Sequence, residues 1–106
     1  MGLLGNVVKG LIGLAPTMSQ VRRDAESGNA EAQYIVGCCY ERGDHGLERN
    51  YAEAAKWYRR AADQDHHAAQ LYLGLLYGQG LGVDLDYIVA LKWVLLAKRG
   101  TGLAGC

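Results

Sequence analysis

Between residues 30 and 98 the apolar positions recur with the spacing of helices, not of strands. Over 30–42, Ala32, Ile35, Val36, Cys39 and Tyr40 follow i, i+3, i+4, i+7 and i+8 and share one face. Over 68–78 the same places hold Ala69, Tyr72, Leu73, Leu76 and Tyr77. Two further stripes predict a partner for each of these helices. One is Tyr51, Ala54, Ala55, Tyr58, Ala61 and Ala62, and the other is Tyr87, Ala90, Leu91, Val94 and Ala97. Asn50, with Glu53 three residues on, is a capping-box-like start, and Asp86 occupies the equivalent N-cap place.

These four helices form two copies of one unit. Ala32, Gln33, Gly37, Tyr40 and Gly43 recur 37 residues later as Ala69, Gln70, Gly74, Tyr77 and Gly80. Tyr51, Ala54, Lys56, Trp57 and Ala61 recur 36 residues later as Tyr87, Ala90, Lys92, Trp93 and Ala97. The change of one residue falls in the connecting turn, where an insertion is best tolerated. The turn of the second unit, "YGQGLGVDLDY" (77–87), carries Gly78, Gly80 and Gly82 in alternation. A phosphate-cradling loop would follow a strand and open a helix. This stretch follows a helix, so it predicts an inter-helix turn in which Gly80 or Gly82 supplies a positive φ or a C-cap. Gly37 and Gly74 lie inside helices, where each costs about 1 kcal/mol relative to alanine. Their matched places predict helices that approach too closely for a side chain.

With "AQYIVGCCYERG", "DHGLERNYAEAAKWYRRAA" and "AQLYLGLLYGQGLGVDLDYIVALKWVLLA" in view, the chain resembles the Sel-one-like repeat family, a branch of the tetratricopeptide-type helical repeats. The resemblance implies an all-α fold, a short right-handed α-solenoid of antiparallel helix pairs. It also implies an inner surface that binds other proteins. This sequence departs from the family pattern at Val36 (usually Leu), Asn50 (usually Asp), Leu47 after the turn glycine, and Asp65, where a glycine often stands. We expect one domain: a half-repeat region over 1–28, repeat one over 29–64, repeat two over 65–99 and a flexible tail over 100–106.

Leu3, Leu4, Val7, Val8, Leu11, Ile12 and Ala15 make a further helical stripe, ended by Pro16. We expect residues 2–15 to be a cap helix packed on 17–42, and 17–27 to be a degenerate second helix of a preceding unit. The competing reading is a membrane-surface or partner-docking helix; interfacial membrane helices carry several basic residues, whereas this stripe has only Lys9. The chain has no run of 18 apolar residues that would span a bilayer. It has no basic start to a signal peptide, and Asn6 stands where myristoylation favours Ser or Thr. The expected location is the cytoplasm.

Lysine plus arginine equals aspartate plus glutamate at 11 each, so no basic footprint for nucleic acid exists. Cys38, Cys39 and Cys106 are an odd count with a vicinal pair and form no disulfide framework. With His45, His66 and His67 they match no metal-ligand spacing. His66 and His67 stand where a helix begins and are expected to be exposed. No nucleophile–base signature is present, and Trp57 and Trp93 read as packing residues. We therefore expect no catalytic residue, no metal and no cofactor. The expected function is a non-enzymatic adaptor that binds a partner protein or peptide through Tyr34, Cys38, Glu41, Leu71 and Leu75 on the first helix of each unit. The terminal helix is apolar beyond its core stripe, and a terminal repeat needs a polar outer face to stay soluble. Ile88, Val89, Leu95 and Leu96 are therefore the expected surface of a homodimer, and a self-assembling structural unit is the competing reading. A small hydrolase or metal protein is a third.

Overall fold

Five helices and no strand make up the described residues, 17–101, of this computed structural model. They are α1 (Met18–Glu26), α2 (Ala30–Arg42), α3 (Tyr51–Ala62), α4 (His67–Gln79) and α5 (Tyr87–Thr101). The expected cap helix over 2–15 lies outside the described residues, as does the tail from 102 onward.

The helices begin where side chains can accept their first free amides. Asn29 Oδ1 accepts from the Ala32 N–H (2.8 Å) and Asn50 Oδ1 from the Glu53 N–H (3.0 Å). Asp86 Oδ1 accepts from both Ile88 and Val89 (3.0 Å each). Only half of the capping box forms at Asn50. Its own N–H donates to the Tyr40 carbonyl (2.8 Å), and the Glu53 carboxylate turns to Lys56 (3.3 Å). α2 and α4 end on Gly43 (φ 74°) and Gly80 (φ 67°), in the left-handed conformation that glycine adopts without penalty. Asp65, at the place where a glycine often stands, also takes a left-handed φ of 64°. Aspartate tolerates that region better than most residues.

α2 packs on α3 and α4 on α5 to make the two hairpins, and seams α1–α2 and α3–α4 join the layers. One core holds Ala54, Ala55, Tyr58, Ala61, Ala62, Ala69, Leu73 and Leu76. A second holds Val21, Ala25, Ala32, Val36 and Trp57. Small residues let the backbones approach. A Cβ on Gly37 would stand 2.6 Å from Tyr58 Cδ1, and one on Gly74 would stand 2.9 Å from the Ala90 carbonyl oxygen. The glycine-rich turn of repeat two is a packing device as well. Gly82 sits on the first turn of α3, where a Cβ would stand 2.3 Å from the Tyr51 carbonyl carbon. Leu81 and Val83 on either side of it pack against the first core. Gly82 thus seats the turn of one repeat on the second helix of the repeat before it, while Gly78 and Gly80 face Ala90 and Leu85 of their own repeat.

Candidate protein-interaction surface

Each seam uses the same pair of polar contacts. Gln33, buried on α2, donates through Nε2 to the Ala25 carbonyl at the end of α1 (3.0 Å). Gln70, buried on α4, does the same to the Ala62 carbonyl at the end of α3 (3.1 Å). Each carbonyl also accepts a turn amide, from Gly28 (3.1 Å) at Ala25 and from Asp65 (3.0 Å) at Ala62, so the glutamine supplies a second donor there and satisfies its own buried amide. Arg22 Nη2 donates to the Tyr40 hydroxyl (2.5 Å), and Arg59 Nη2 donates to the Tyr77 hydroxyl (2.6 Å). α1 thus makes to α2 the contacts that α3 makes to α4.

An aromatic stack fills the α2–α4 side of the second seam. The Tyr34 ring lies 4.7 Å from the His66 ring and 5.9 Å from Tyr72, and Tyr58 lies 5.8 Å from Tyr72. Burial, followed by the hydrogen bond to Glu41, pushes the Tyr58 phenol well above the usual tyrosine range. Its hydroxyl stays protonated and donates to Glu41 Oε1 (2.6 Å). Burial, followed by the bond to Cys38, raises the Tyr34 phenol too. His66 is half-buried rather than exposed, and so is His67. His66 caps α4 by accepting the Ala69 N–H at Nδ1 (3.1 Å), which leaves Nε2–H to donate to Glu31 Oε2 (2.5 Å). The packing of repeat two onto Tyr34 draws this ring inward.

The five expected partner-contact residues divide into two kinds. Tyr34, Cys38 and Glu41 on α2 are half-buried. Leu71 and Leu75, 37 residues beyond Tyr34 and Cys38, are 38% and 43% exposed. Tyr34 and Cys38 border a shallow cleft of about 190 Å³ that also takes in Ile35, Cys39, Arg42, Asp44 and His45. It is smaller than the roughly 300–1,000 Å³ of ordinary ligand pockets. Cys39 Sγ lies 3.6 Å from His45 Nδ1 there. Burial, then the charge of Asp44, pushes the Cys39 thiol up, which keeps it protonated. Among the described residues no group of three His, Cys, Asp or Glu side chains could hold a metal ion.

Of the expected dimer residues, Ile88, Leu95 and Leu96 are exposed and Val89 is half-buried. Leu91, placed on the core stripe by its periodicity, is 58% exposed, and Leu85 and Tyr87 are exposed as well. Among the described residues, all the exposed large apolar side chains lie between Leu71 and Leu96, within repeat two.

A protein-family model, the Sel1 repeat, matches residues 30–66 and again 67–100. The chain belongs to the Sel1 repeat family. Sel1 repeat proteins generally mediate protein–protein interaction. Solved Sel1 structures superpose closely. A Sel1 repeat protein from Oxalobacter formigenes has a TM-score of 0.77 at 34% identity, over 92% of this chain and 42% of that one. c5321, a protective antigen of uropathogenic Escherichia coli displaying an SLR fold, has a TM-score of 0.75 at 39% identity. That match covers 77% of this chain and 17% of the antigen. An ERAD-associated E3 ubiquitin-protein ligase component, HRD3A of Arabidopsis thaliana, is 37% identical over 58 residues, which are 55% of this chain. Chitin synthase regulatory factor 2 of Schizosaccharomyces pombe is 32% identical over 73 residues, 69% of this chain. The matched segments span 9% and 14% of those two relatives. Among the described residues no helix is long and apolar enough to cross a membrane.

Proposed function

We propose that this chain is a non-enzymatic adaptor that binds a segment of a partner protein along the first helices of its two Sel1 repeats. Leu71 and Leu75 on α4 are its apolar anchors, with Tyr34, Cys38 and Glu41 of α2 beside them. The observation that carries this reading is an α4 side exposing two leucines one helical turn apart, in a family that works by binding proteins. Apolar side chains grouped at the end of a repeat stack mark an interaction site better than singly scattered ones. The relatives named above, a ligase component and a regulatory factor, also fit a module that acts by contact. We place the adaptor in the cytoplasm.

Site-specific photo-crosslinking in the expressing cells tests it. A benzophenone side chain in place of Leu75 should trap one stoichiometric partner, and the same group at Glu48 should trap none. Leu71→Glu with a benzophenone at 75 should lose the adduct while keeping its helicity. Equal trapping from both positions, or none from either, would overturn the reading.

A further inference from the structure

Among the described residues, the arginine and alanine that make the polar contacts of the first two seams do not recur on the far side of repeat two. Arg22 and Ala25 serve the first seam, and Arg59 and Ala62, 37 residues later, serve the second. Another 36 residues on, the arginine is replaced by Leu95 and the buried alanine by Lys98. A following repeat in register would find no arginine for its tyrosine hydroxyl and a lysine where its first helix should seat. The backbone agrees. α3 ends at Ala62 and turns back toward α4, whereas α5 passes the equivalent Lys98 and continues to Thr101.

The apolar part of the seam is nevertheless enlarged. Tyr34 stacks on His66 and Tyr72, Ala52 and Ala55 lie under the Gly82–Val83 turn, and Arg59 reaches Tyr77 and Trp93. These four residues of repeat one touch repeat two. Their equivalents are Leu71, Ile88, Leu91 and Leu95, exposed by 38%, 72%, 58% and 50%. This end therefore keeps the shape of a helix-stacking face, loses the polar groups specific to a repeat, and gains leucine and isoleucine.

Among the described residues, α1 at the opposite side of the stack does not match it. α1 presents Gln20, Arg23 and Asp24 to solvent, and a head-to-tail contact would strip water from those charges against leucine. The surface that matches this face is the same face on a second copy.

We infer that two chains associate about a two-fold axis through the exposed sides of their α5 helices, set antiparallel. That direction sets Arg99 in the last turn of one α5 against Asp84 and Asp86 at the start of the other, and opposes the helix dipoles. A self-complementary contact closes at two copies, so it forms no filament. The proposal goes beyond the adaptor reading and does not depend on it, since its decisive variants lie on α5 and its flanks.

Sedimentation equilibrium on the full chain tests it. The expected result is a monomer–dimer equilibrium that stops at two. Leu91→Glu with Leu95→Glu should weaken association at least about 100-fold with helicity unchanged, as the removal of central interface anchors does. Asp84→Lys or Arg99→Asp alone should weaken the dimer, and the two together should restore it. Both charged residues are exposed, so this pair decides the matter even if the leucine variants unfold. A wild-type chain that stays monomeric up to millimolar concentration would overturn the proposal. So would a dimer indifferent to both sets of variants, or a series of ever larger species. The Leu75 crosslink in the Asp84→Lys variant reads the adaptor function separately and should persist.

Discussion

Trp57 and Trp93 hold the same place in the two repeats and meet different surroundings. Trp57 is buried in the core beneath α1 and α2, whereas Trp93 is only partly buried against the other core. The contrast recurs on the outer side of the second helix, while the equivalent Ala61 and Ala97 are both buried. Tyr58 is 1% exposed and Ala55 5%, while Leu91, in the place of Ala55, is 58% exposed. Both hairpins obey one pattern. What differs is that repeat one has a neighbour on each side among the described residues and repeat two has one on a single side. In a linear stack a residue's burial is a property of the next unit as much as of its own. The replacements in repeat two go toward larger apolar groups where a lone terminal unit would favour polar ones.

That comparison can be broken at several strengths. The largest effect is expected at Tyr58. Tyr58→Ala should cost about 3–5 kcal/mol in urea denaturation, as aromatic truncation in a core does. Val94→Ala, at the equivalent place, should cost about 1 kcal/mol. Equal losses would mean that the two repeats are buried alike.

Next comes the seam glutamine. Gln70→Leu removes one of the two donors to the Ala62 carbonyl, which keeps the Asp65 N–H, and should cost about 0.5–1.5 kcal/mol. Gln33→Leu at the first seam should cost a similar amount, which chemical denaturation of the two variants would compare.

Alkaline pH should sharpen the contrast. The Tyr58 phenol is raised by burial, so the unfolded chain ionises first. Its contribution is fully present below the ordinary tyrosine pKa of about 10 and is lost above it, at up to about 1.4 kcal/mol per pH unit. Tyr58→Phe should flatten that slope in thermal melts between pH 9 and about 11.5.

The smallest effect is at the arginine. Arg59→Leu removes the bond to the Tyr77 hydroxyl and should cost about 1 kcal/mol. Leu95→Arg should leave the monomer's melting stability within about 0.5 kcal/mol.

Much of this architecture was legible in the residues themselves. Period 3.6 located α2 to α5, and matched glycines at 37 and 74 announced the close helix approaches that Tyr58 and Ala90 impose. The Gly80–Gly82 stretch was readable as a turn because a helix preceded it. Its seating on Tyr51 was not, because that contact joins residues far apart in the chain. Gln33 and Gln70 were visible as a recurrence. Their role was hidden, since the carbonyls they satisfy belong to the preceding helix and any residue could supply them. The candidate surface was less legible than the fold. Tyr34 and Leu71 occupy one repeat position, and only the presence of His66 and Tyr72 against the first makes one half-buried and the other exposed. Leu91 was assigned to the core for the same reason. Periodicity reports which side of a helix is apolar and is silent on whether anything stands opposite.

Hydrogen–deuterium exchange at two protein concentrations tests the central claim most directly. If the open face of repeat two pairs with itself, amides of α5 over 87–97 should gain protection as concentration rises, while those of α2 and α3 stay unchanged. Exchange in α5 that is the same at low and high concentration would contradict it.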